Sequence, residues 1–227
     1  MVNSSLGRRL ADITRDIESR DDLSGATDEI VAVAADMLDH GTAAGITLVH
    51  GRRRVETAAA TSDDVRRGDA LQYELREGPC LDAAWEERQV YSPDLANDHR
   101  WPTWGPRVAE ELGVQTMLCT QLFTNEDRLG ALNLYSTKKG AFTEEDRETV
   151  LLLAAHAAVA VAAAQQVDSL RVAVDRRTTI GKALGILMER YDLDDDQAFS
   201  VLRRLSSDEN RKVYDLAVEL VTTRHPR

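Results

Sequence analysis

The sequence predicts an α+β protein in which an antiparallel sheet with helices is joined by one long helix to an all-α bundle of three C-terminal helices. Strand-like runs are confined to residues 44–136, whereas residues 142–180 contain no glycine or proline and are rich in alanine, the best helix former. Charge is also divided unevenly. Residues 165–227 hold 11 basic and 11 acidic residues, so the net charge of −11 falls entirely on residues 1–164. This asymmetry indicates two parts with different roles.

The bulk composition is that of an ordinary globular protein, with 43% hydrophobic and 30% charged residues in 227. Two cysteines exclude a disulfide framework and a cysteine-rich zinc site, and no metal site is expected. The N-terminus lacks the apolar core of a signal peptide. The longest apolar stretch, 150–164, falls short of the roughly 20 residues that a membrane span needs. We therefore expect a cytoplasmic protein without a membrane partner.

The first part opens with a helix within residues 3–40, where apolar residues such as Ile30 and Ala34 recur at helical spacing. Thr27 is the predicted N-cap and Gly41 the predicted C-terminal stop of this helix.

Two strand pairs are predicted next. The first joins 44–50 to 55–61 through a turn at residues 51–53, and the second joins 114–124 to 128–136 through a turn at 125–127. Short helices are predicted near 70–75, from Pro79 to Trp85, and over 106–112.

A long helix is predicted to begin at Thr143 and to link the two parts, its linking segment being residues 144–172. A helix of about 45 residues would be ~70 Å long, too long for the interior of one small domain. We expect it to pair with its copy in a homodimer; the alternative is two shorter helices with a bend near Asp168. The heptad seam predicted for that pairing, interrupted at Arg171, consists of Val150, Leu153, Ala157, Ala160, Ala164, Val167 and Val174.

Three features of the N-terminal 165 residues are specific: Glu77-Gly78-Pro79-Cys80, the strand that runs from Arg128 to Ser136, and the helix start Phe142-Thr143-Glu144-Glu145-Asp146. With these features this part of the chain resembles a GAF domain. The resemblance implies a sensor with an antiparallel sheet, helices on one face and a ligand pocket on the other. Family members bind cyclic nucleotides, haem, chromophores or other small molecules, so the resemblance does not specify the cofactor or signal.

Four residues are candidates for lining a sensor pocket: Cys80, Trp85, Trp101 and Cys119. The structural alternatives are a small buried side chain for each cysteine and a packing anchor for each tryptophan. Because the sequence contains no Ser/His/Asp arrangement, HExxH motif or glycine-rich phosphate loop, we expect no catalytic activity.

The pattern I-x-x-A-x-G-I-L-M-x-R runs from Ile180 to Arg190, and further characteristic positions follow from Asp196 to Ala217. By these positions residues 173–223 resemble an ANTAR RNA-binding domain. Three helices are predicted, ending at Tyr191 and spanning 195–205 and 208–223, with N-caps at Asp194 and Ser207. Their apolar residues are Ile180, Leu184, Leu187, Ala198, Phe199, Leu202, Val213, Leu216, Ala217 and Leu220. Gly181 and Gly185, four residues apart, suggest a close approach of another helix.

Seven polar residues of this region are candidates for contacts with RNA: Lys182, Arg190, Arg203, Arg204, Asn210, Arg211 and Lys212. The alternative is that the charges among them are solvated and paired with Asp208, Glu209 and Asp215. The acidic residues between 192 and 196 would repel phosphate, so RNA would have to approach from elsewhere.

The resemblance to both families implies a transcription antiterminator that senses a ligand and binds paired RNA hairpins as a dimer. Two other functions remain open from the residues alone. One is a DNA-binding transcriptional regulator, and the other is a sensor whose tail makes only protein contacts.

Overall fold

Five strands form one antiparallel sheet in the computed structural model of the chain, which describes residues 22–38, 42–51, 54–124 and 127–223. The strands are β1 (Ala43–His50), β2 (Arg54–Ala60), β3 (Gln89–Ser92), β4 (Thr116–Phe123) and β5 (Arg128–Ser136). They lie in the order β2-β1-β5-β4-β3. The predicted α+β class and both strand pairs are confirmed.

The helices of the sheet-containing part are α1 (Leu23–Asp36), α2 (Asp63–Leu75), α3 (Pro79–Trp85), α4 (Trp104–Leu112) and the first half of α5 (Glu144–Tyr191). Helix α2 is longer than predicted because Ser62 caps its N-terminus by accepting from the Val65 N–H at 3.3 Å. The prediction of Thr27 as an N-cap is wrong. Asp22 caps α1, and Thr27 is buried one turn inside it. The predictions for residues 3–21 and Gly41 lie outside the described residues.

The chain divides into two compact units, residues 1–165 and 166–227, called here the first and the second unit. In the first unit each face of the sheet carries its own buried cluster. Helix α1 and the first half of α5 cover one face, where Ile30, Leu132 and Leu153 belong to one cluster. Helices α2, α3 and α4 cover the other, where Leu71, Ala83 and Trp104 pack with the strands.

Helix α5 is a single helix from Glu144 to Tyr191, so the alternative of two shorter helices is wrong. The predicted dimer seam is also wrong in its first half. Val150, Leu153, Ala157 and Ala160 are buried in the core of the first unit, where they cover the sheet. They are therefore not available to a second chain.

By length and composition α5 passes for a membrane-spanning helix, since an 18-residue stretch has a mean hydropathy of 1.8. Of that stretch, 39% is buried within the protein. Packing against the sheet thus accounts for part of its apolar character.

The second unit is a bundle of three helices: the end of α5, α6 (Asp195–Asp208) and α7 (Val213–Thr222). Its predicted core is confirmed except for Phe199, which is 43% exposed. Asp194 caps α6 in a capping box with Gln197, their two hydrogen bonds being 2.8 and 3.0 Å long.

The prediction of a helix starting after Ser207 is wrong. Helix α6 continues to Asp208, and Asn210 then takes up a left-handed conformation with φ 51°. The Arg211 N–H donates to the Ser206 carbonyl at 3.1 Å and closes the helix end. Helix α7 therefore begins only at Val213, after Lys212.

Gly181 and Gly185 are not approached by another helix of the described chain. A Cβ atom built on either glycine would meet nothing within 4 Å. The expectation of close helix packing at these two positions is therefore wrong within one chain.

Candidate functional site

A cluster of buried polar side chains lies between the sheet and helices α2 and α3 of the first unit. Asp69, Gln72 and Tyr73 come from α2 and Cys80 from α3. The strands contribute Thr47 of β1, Thr57 of β2, and Asn133 and Tyr135 of β5. Polar groups removed from water need hydrogen-bond partners, and here they find them in one another.

Asp69 is the centre of the cluster and is 0% exposed. Its Oδ2 accepts from Thr57 Oγ1 at 3.0 Å. Its Oδ1 accepts from Asn133 Nδ2 at 3.2 Å and from the Tyr135 hydroxyl. Burial raises the pKa of Asp69 from 3.8 to about 6, although these hydrogen bonds and the charge of Arg66 lower it.

Cys80 is held at the start of α3 by a local arrangement. Gly78 has a φ of 144°, and a Cβ at this position would overlap the side chain of Gln72. The space lets Gln72 Oε1 accept the Cys80 N–H at 2.8 Å. Burial raises the pKa of the Cys80 thiol, and so does the negative charge of Asp69. A thiol in this setting stays protonated and is a poor nucleophile.

An open cleft of about 600 Å³ adjoins the cluster. Its lining is Val55, Tyr73, Arg76, Leu81, Asp82, Trp85 and Glu86. Tyr73 belongs to both places, because it is one of the residues that line the cleft and its hydroxyl bonds Thr47 at 2.7 Å and Thr57 at 3.0 Å inside the cluster. The cleft has the mixed lining, apolar with a few charges, that small-molecule sites have.

The four predicted pocket residues all belong to or pack against the cluster on the face of the sheet that α2, α3 and α4 cover, but only one of them lines the cleft. Cys80, Trp101 and Cys119 are buried together in one cluster, and Trp85 packs against it while lining the cleft. Trp101 donates its Nε1 proton to Asp82 Oδ2 at 2.9 Å, which is an anchoring role. Burial raises the pKa of Cys119 well above its ordinary value.

Sequence reasoning missed the polar partners, above all Asp69, Asn133 and Tyr73. A signal was present for the first, since Val65, Asp69 and Gln72 follow the spacing of the buried face of α2. Asn133 likewise interrupts an apolar strand. A charged or amide side chain at a position that the pattern assigns to the core is a candidate for function.

The seven predicted RNA-contacting residues are exposed on the second unit. Lys182 and Arg190 lie on α5, Arg203 and Arg204 in the last turns of α6, and Asn210 to Lys212 in the connection to α7. Among the described residues no acidic partner pairs with Lys182, Arg190, Arg203 or Lys212.

Two of the predicted cations form ion pairs with acidic residues of the second unit. Arg211 bridges Glu209 at 3.1 Å and Glu219 at 2.7 Å, and Arg204 lies 3.9 Å from Asp208. Asn210 occupies a left-handed turn position, which by itself favours asparagine.

Comparison with known proteins identifies both units. Residues 21–162 match the GAF domain family and residues 168–221 match the ANTAR domain family. A comparison with curated proteins found no match.

Solved structures with the same fold include the GAF domain of an Acinetobacter phosphoenolpyruvate-protein phosphotransferase, at 18% identity and a TM-score of 0.56 over 73% of this chain and 98% of that one. The GAF domain of the corresponding Coxiella burnetii protein matches at 18% identity and a TM-score of 0.57, over 72% of this chain and 96% of that one. The free methionine-R-sulfoxide reductase of Neisseria meningitidis, solved with its substrate, matches at 17% identity and a TM-score of 0.53, over 69% of this chain and 88% of that one.

Proposed function

The chain belongs to the GAF domain family and carries an ANTAR domain behind it, and from this we propose that it is a signal-responsive RNA-binding antiterminator. Both domains are regulatory, so the chain is a regulator with a sensory domain. In the proposed function the first unit senses a small molecule, and the second unit binds paired hairpins of a nascent transcript in the cytoplasm and prevents a terminator from forming. No catalytic step is assigned to either unit.

The RNA proposal is supported by the ANTAR match and by the exposed cations of the second unit. The second unit is electrically neutral overall, so bulk attraction to RNA is small. Lys182, Arg190, Arg203 and Lys212 nevertheless have no acidic partner among the described residues. Such side chains are available to replace the counterions of phosphate groups.

A homodimer is part of the proposal, because two hairpins require two ANTAR domains. Support comes from the side of α5 that faces away from the sheet. Leu152 and Val159 are 46% and 65% exposed, and Leu170 is 61% exposed in the second unit. With His156, Ala163 and Gln166 they follow alternating steps of four and three residues, which is heptad spacing. We assign the dimer seam to these residues instead of the buried ones.

The test is binding of the full chain to a transcript fragment with two hairpins, measured across salt concentrations. We expect affinity that falls steeply with salt. The double variant Arg203→Ala with Lys212→Ala should weaken binding and lower the salt slope by about 1–2. The matched control Lys138→Ala with Arg67→Ala removes two exposed charges of the first unit and should change neither quantity.

Three outcomes would overturn the proposal in different ways. Preference for duplex DNA over hairpin RNA would make the chain a DNA-binding regulator. Absence of salt-sensitive binding to either would leave the second unit as a protein-contact tail. Binding of equal strength in the double variant would place the RNA surface elsewhere.

A further inference from the structure

A continuous row of hydrogen bonds links the buried thiol of Cys80 to the buried carboxylate of Asp69. Cys80 Sγ lies 3.1 Å from Thr47 Oγ1, and Thr47 Oγ1 lies 2.7 Å from the Tyr73 hydroxyl. That hydroxyl is 3.0 Å from Thr57 Oγ1, which is 3.0 Å from Asp69 Oδ2. The row joins α3 to α2 through two strands of the sheet.

The charge on Asp69 fixes the direction of every bond in this row. An ionised carboxylate only accepts, so Thr57 must donate to it. Thr57 then accepts from Tyr73, because each hydroxyl carries one proton. By the same reasoning Tyr73 accepts from Thr47, and Thr47 accepts the thiol proton of Cys80.

Protonation of Asp69 removes that constraint. A neutral carboxyl carries a proton that its Oδ2 can donate to Thr57. The three hydroxyls can then rotate, and donor and acceptor are exchanged at each hydrogen bond of the row. In this reversed direction Thr47 donates to Cys80 Sγ. The proton comes from solvent and returns to it, and within the row the groups only reorient.

The reversed row would need a new acceptor for the Cys80 thiol proton, and Asn133 supplies one. Its Nδ2 lies 3.1 Å from Cys80 Sγ and 3.2 Å from Asp69 Oδ1. Its Oδ1 is buried without a hydrogen-bond partner, which is unusual for a polar atom in a protein core. A flip of the amide turns this atom toward the thiol once Asp69 no longer needs the amide proton.

The surroundings of Asp69 contain few groups able to hold its negative charge. The titratable or charged groups facing it are Tyr135 of β5, Cys119 of β4, Cys80 of α3, and Tyr73 and Arg66 on its own helix. Arg66 is the one cation among them, and it is exposed at the surface. Solvation of the charge therefore rests on the neutral donors of the cluster.

We propose that Asp69 is a proton-binding sensor site whose charge state sets the direction of the hydrogen-bond row from Cys80 through Thr47, Tyr73 and Thr57. Tyr73 also lines the open cleft, so the row connects Asp69 to a residue in the wall of that cleft. The site lies in the first unit and its test needs no RNA, so it stands or falls separately from RNA binding.

The test is carried out on the full chain in the Cys119→Ala background, which leaves one thiol. The S–H stretching band of Cys80 is followed by infrared spectroscopy from about pH 5 to about pH 7.5, and the Asp carboxyl carbons by ¹³C NMR. We expect one Asp carboxyl resonance to titrate with a midpoint near pH 6, and the S–H band to shift over the same pH range.

Thr57→Val keeps the shape of the side chain and breaks the row beside Asp69. In this variant the carboxyl should still titrate, while the S–H band should no longer follow pH. Thr120→Val is the matched control, since it removes a buried threonine hydroxyl of β4 that bonds Gln89 at 3.0 Å, outside the row. If Thr57→Val does not fold, Tyr73→Phe breaks the row at its centre with the same expected result.

A band that stays fixed in the parent protein would overturn the proposal. A band that shifts equally with pH in Thr57→Val or Tyr73→Phe would also overturn it. So would Asp carboxyl resonances that all titrate with midpoints below about pH 5.

Discussion

Gln72 Oε1 accepts the backbone N–H of Cys80 at 2.8 Å across the position where Gly78 has no side chain. This bond ties the end of α2 to the start of α3 and sets the thiol against the buried polar cluster. It accounts for the Gly-Pro-Cys sequence, in which the glycine makes room, the proline begins the helix and the cysteine is delivered to the core.

Gly78→Ala is expected to destabilise the first unit by about 2–4 kcal/mol, because it combines a left-handed φ with a steric clash in the core. The free energy of unfolding can be followed by tryptophan fluorescence, since Trp85, Trp101 and Trp104 all lie in this unit. Gly113→Ala is the control. Gly113 also has a positive φ, 69°, but its Cβ would meet nothing within 4 Å, and its cost should be about 1 kcal/mol. Equal losses in both variants would contradict the explanation.

The stability of the first unit should depend on pH through Asp69. Its pKa is about 6 in the folded protein and 3.8 in the unfolded chain. The folded state therefore binds the proton more tightly, so the contribution of Asp69 is fully present below pH 3.8 and is lost as pH rises through about 6. Relative to Asp69→Asn, the parent protein should gain up to about 3 kcal/mol between neutral pH and about pH 4.

The two proteins are compared by how their free energies of unfolding change with pH, not by their absolute values. The amide at position 69 would face several hydrogen-bond donors, so Asp69→Asn lowers the stability for a reason unrelated to titration. Glu74→Gln removes an exposed carboxylate from the same helix and should follow the parent protein. Parallel profiles for the parent and Asp69→Asn would mean that Asp69 has an ordinary pKa.

Glu219→Gln should strengthen RNA binding by the second unit. Arg211 is held by Glu219 at 2.7 Å and by Glu209 at 3.1 Å, so part of its charge is neutralised within the protein. Removing the charge of Glu219 frees the guanidinium for phosphate. The affinity of the full chain for hairpin RNA should rise and its salt dependence should steepen, whereas Glu29→Gln in the first unit should leave both unchanged. An unchanged affinity in Glu219→Gln would place Arg211 outside the RNA surface.

Asn210→Gly separates two roles of this residue. Its φ of 51° is easily adopted by glycine, so the second unit should fold as stably as before. If the side chain also contacts a base, affinity for hairpin RNA should fall by roughly 3–10-fold, the value of one hydrogen bond. Circular dichroism checks the fold and a binding titration checks the contact. Full affinity in this variant would reduce Asn210 to a turn residue.

Val159→Glu should dissociate the proposed dimer without unfolding the first unit. Val159 is 65% exposed on α5, so a charge there costs little in one chain but would be buried in a helix pair. Val172→Glu is the matched control, being 47% exposed on the same helix but outside the heptad spacing. Sedimentation velocity gives the oligomeric state. A dimer that survives Val159→Glu, or is lost equally in Val172→Glu, would refute the assigned seam.

Much of the fold follows from local sequence. The bounds of β5, the start of α3 at Pro79 and the cap at Asp194 match their predictions, because alternation, proline and capping chemistry act over a few residues. The long helix is local in the same sense, since alanine favours helix wherever it lies. The end of α6 was misjudged because a serine suits both an N-cap and a helix interior near its end, and the turn at Asn210 decided between them.

Tertiary structure alone decided which side of α5 faces the core. Apolar residues recur at helical spacing on both sides of this helix: Leu153 and Ala157 are four residues apart, and Leu152 and Val159 are seven apart. Periodicity alone cannot show which of the two sides faces the core. Contact with the sheet buries the side with Leu153 and Ala157 and leaves the side with Leu152 and Val159 exposed.

The polar cluster is the other result that only the packed chain contains. Asp69, Cys80 and Asn133 are separated by 11 to 64 residues and belong to three different elements, so no local pattern relates them. Their meeting depends on the register of β1 with β5 and on how α2 lies over these strands. The sequence alone determined that a GAF domain precedes an ANTAR domain. Packing placed a carboxylate, an amide and a thiol together away from water, where their hydrogen bonds depend on one another.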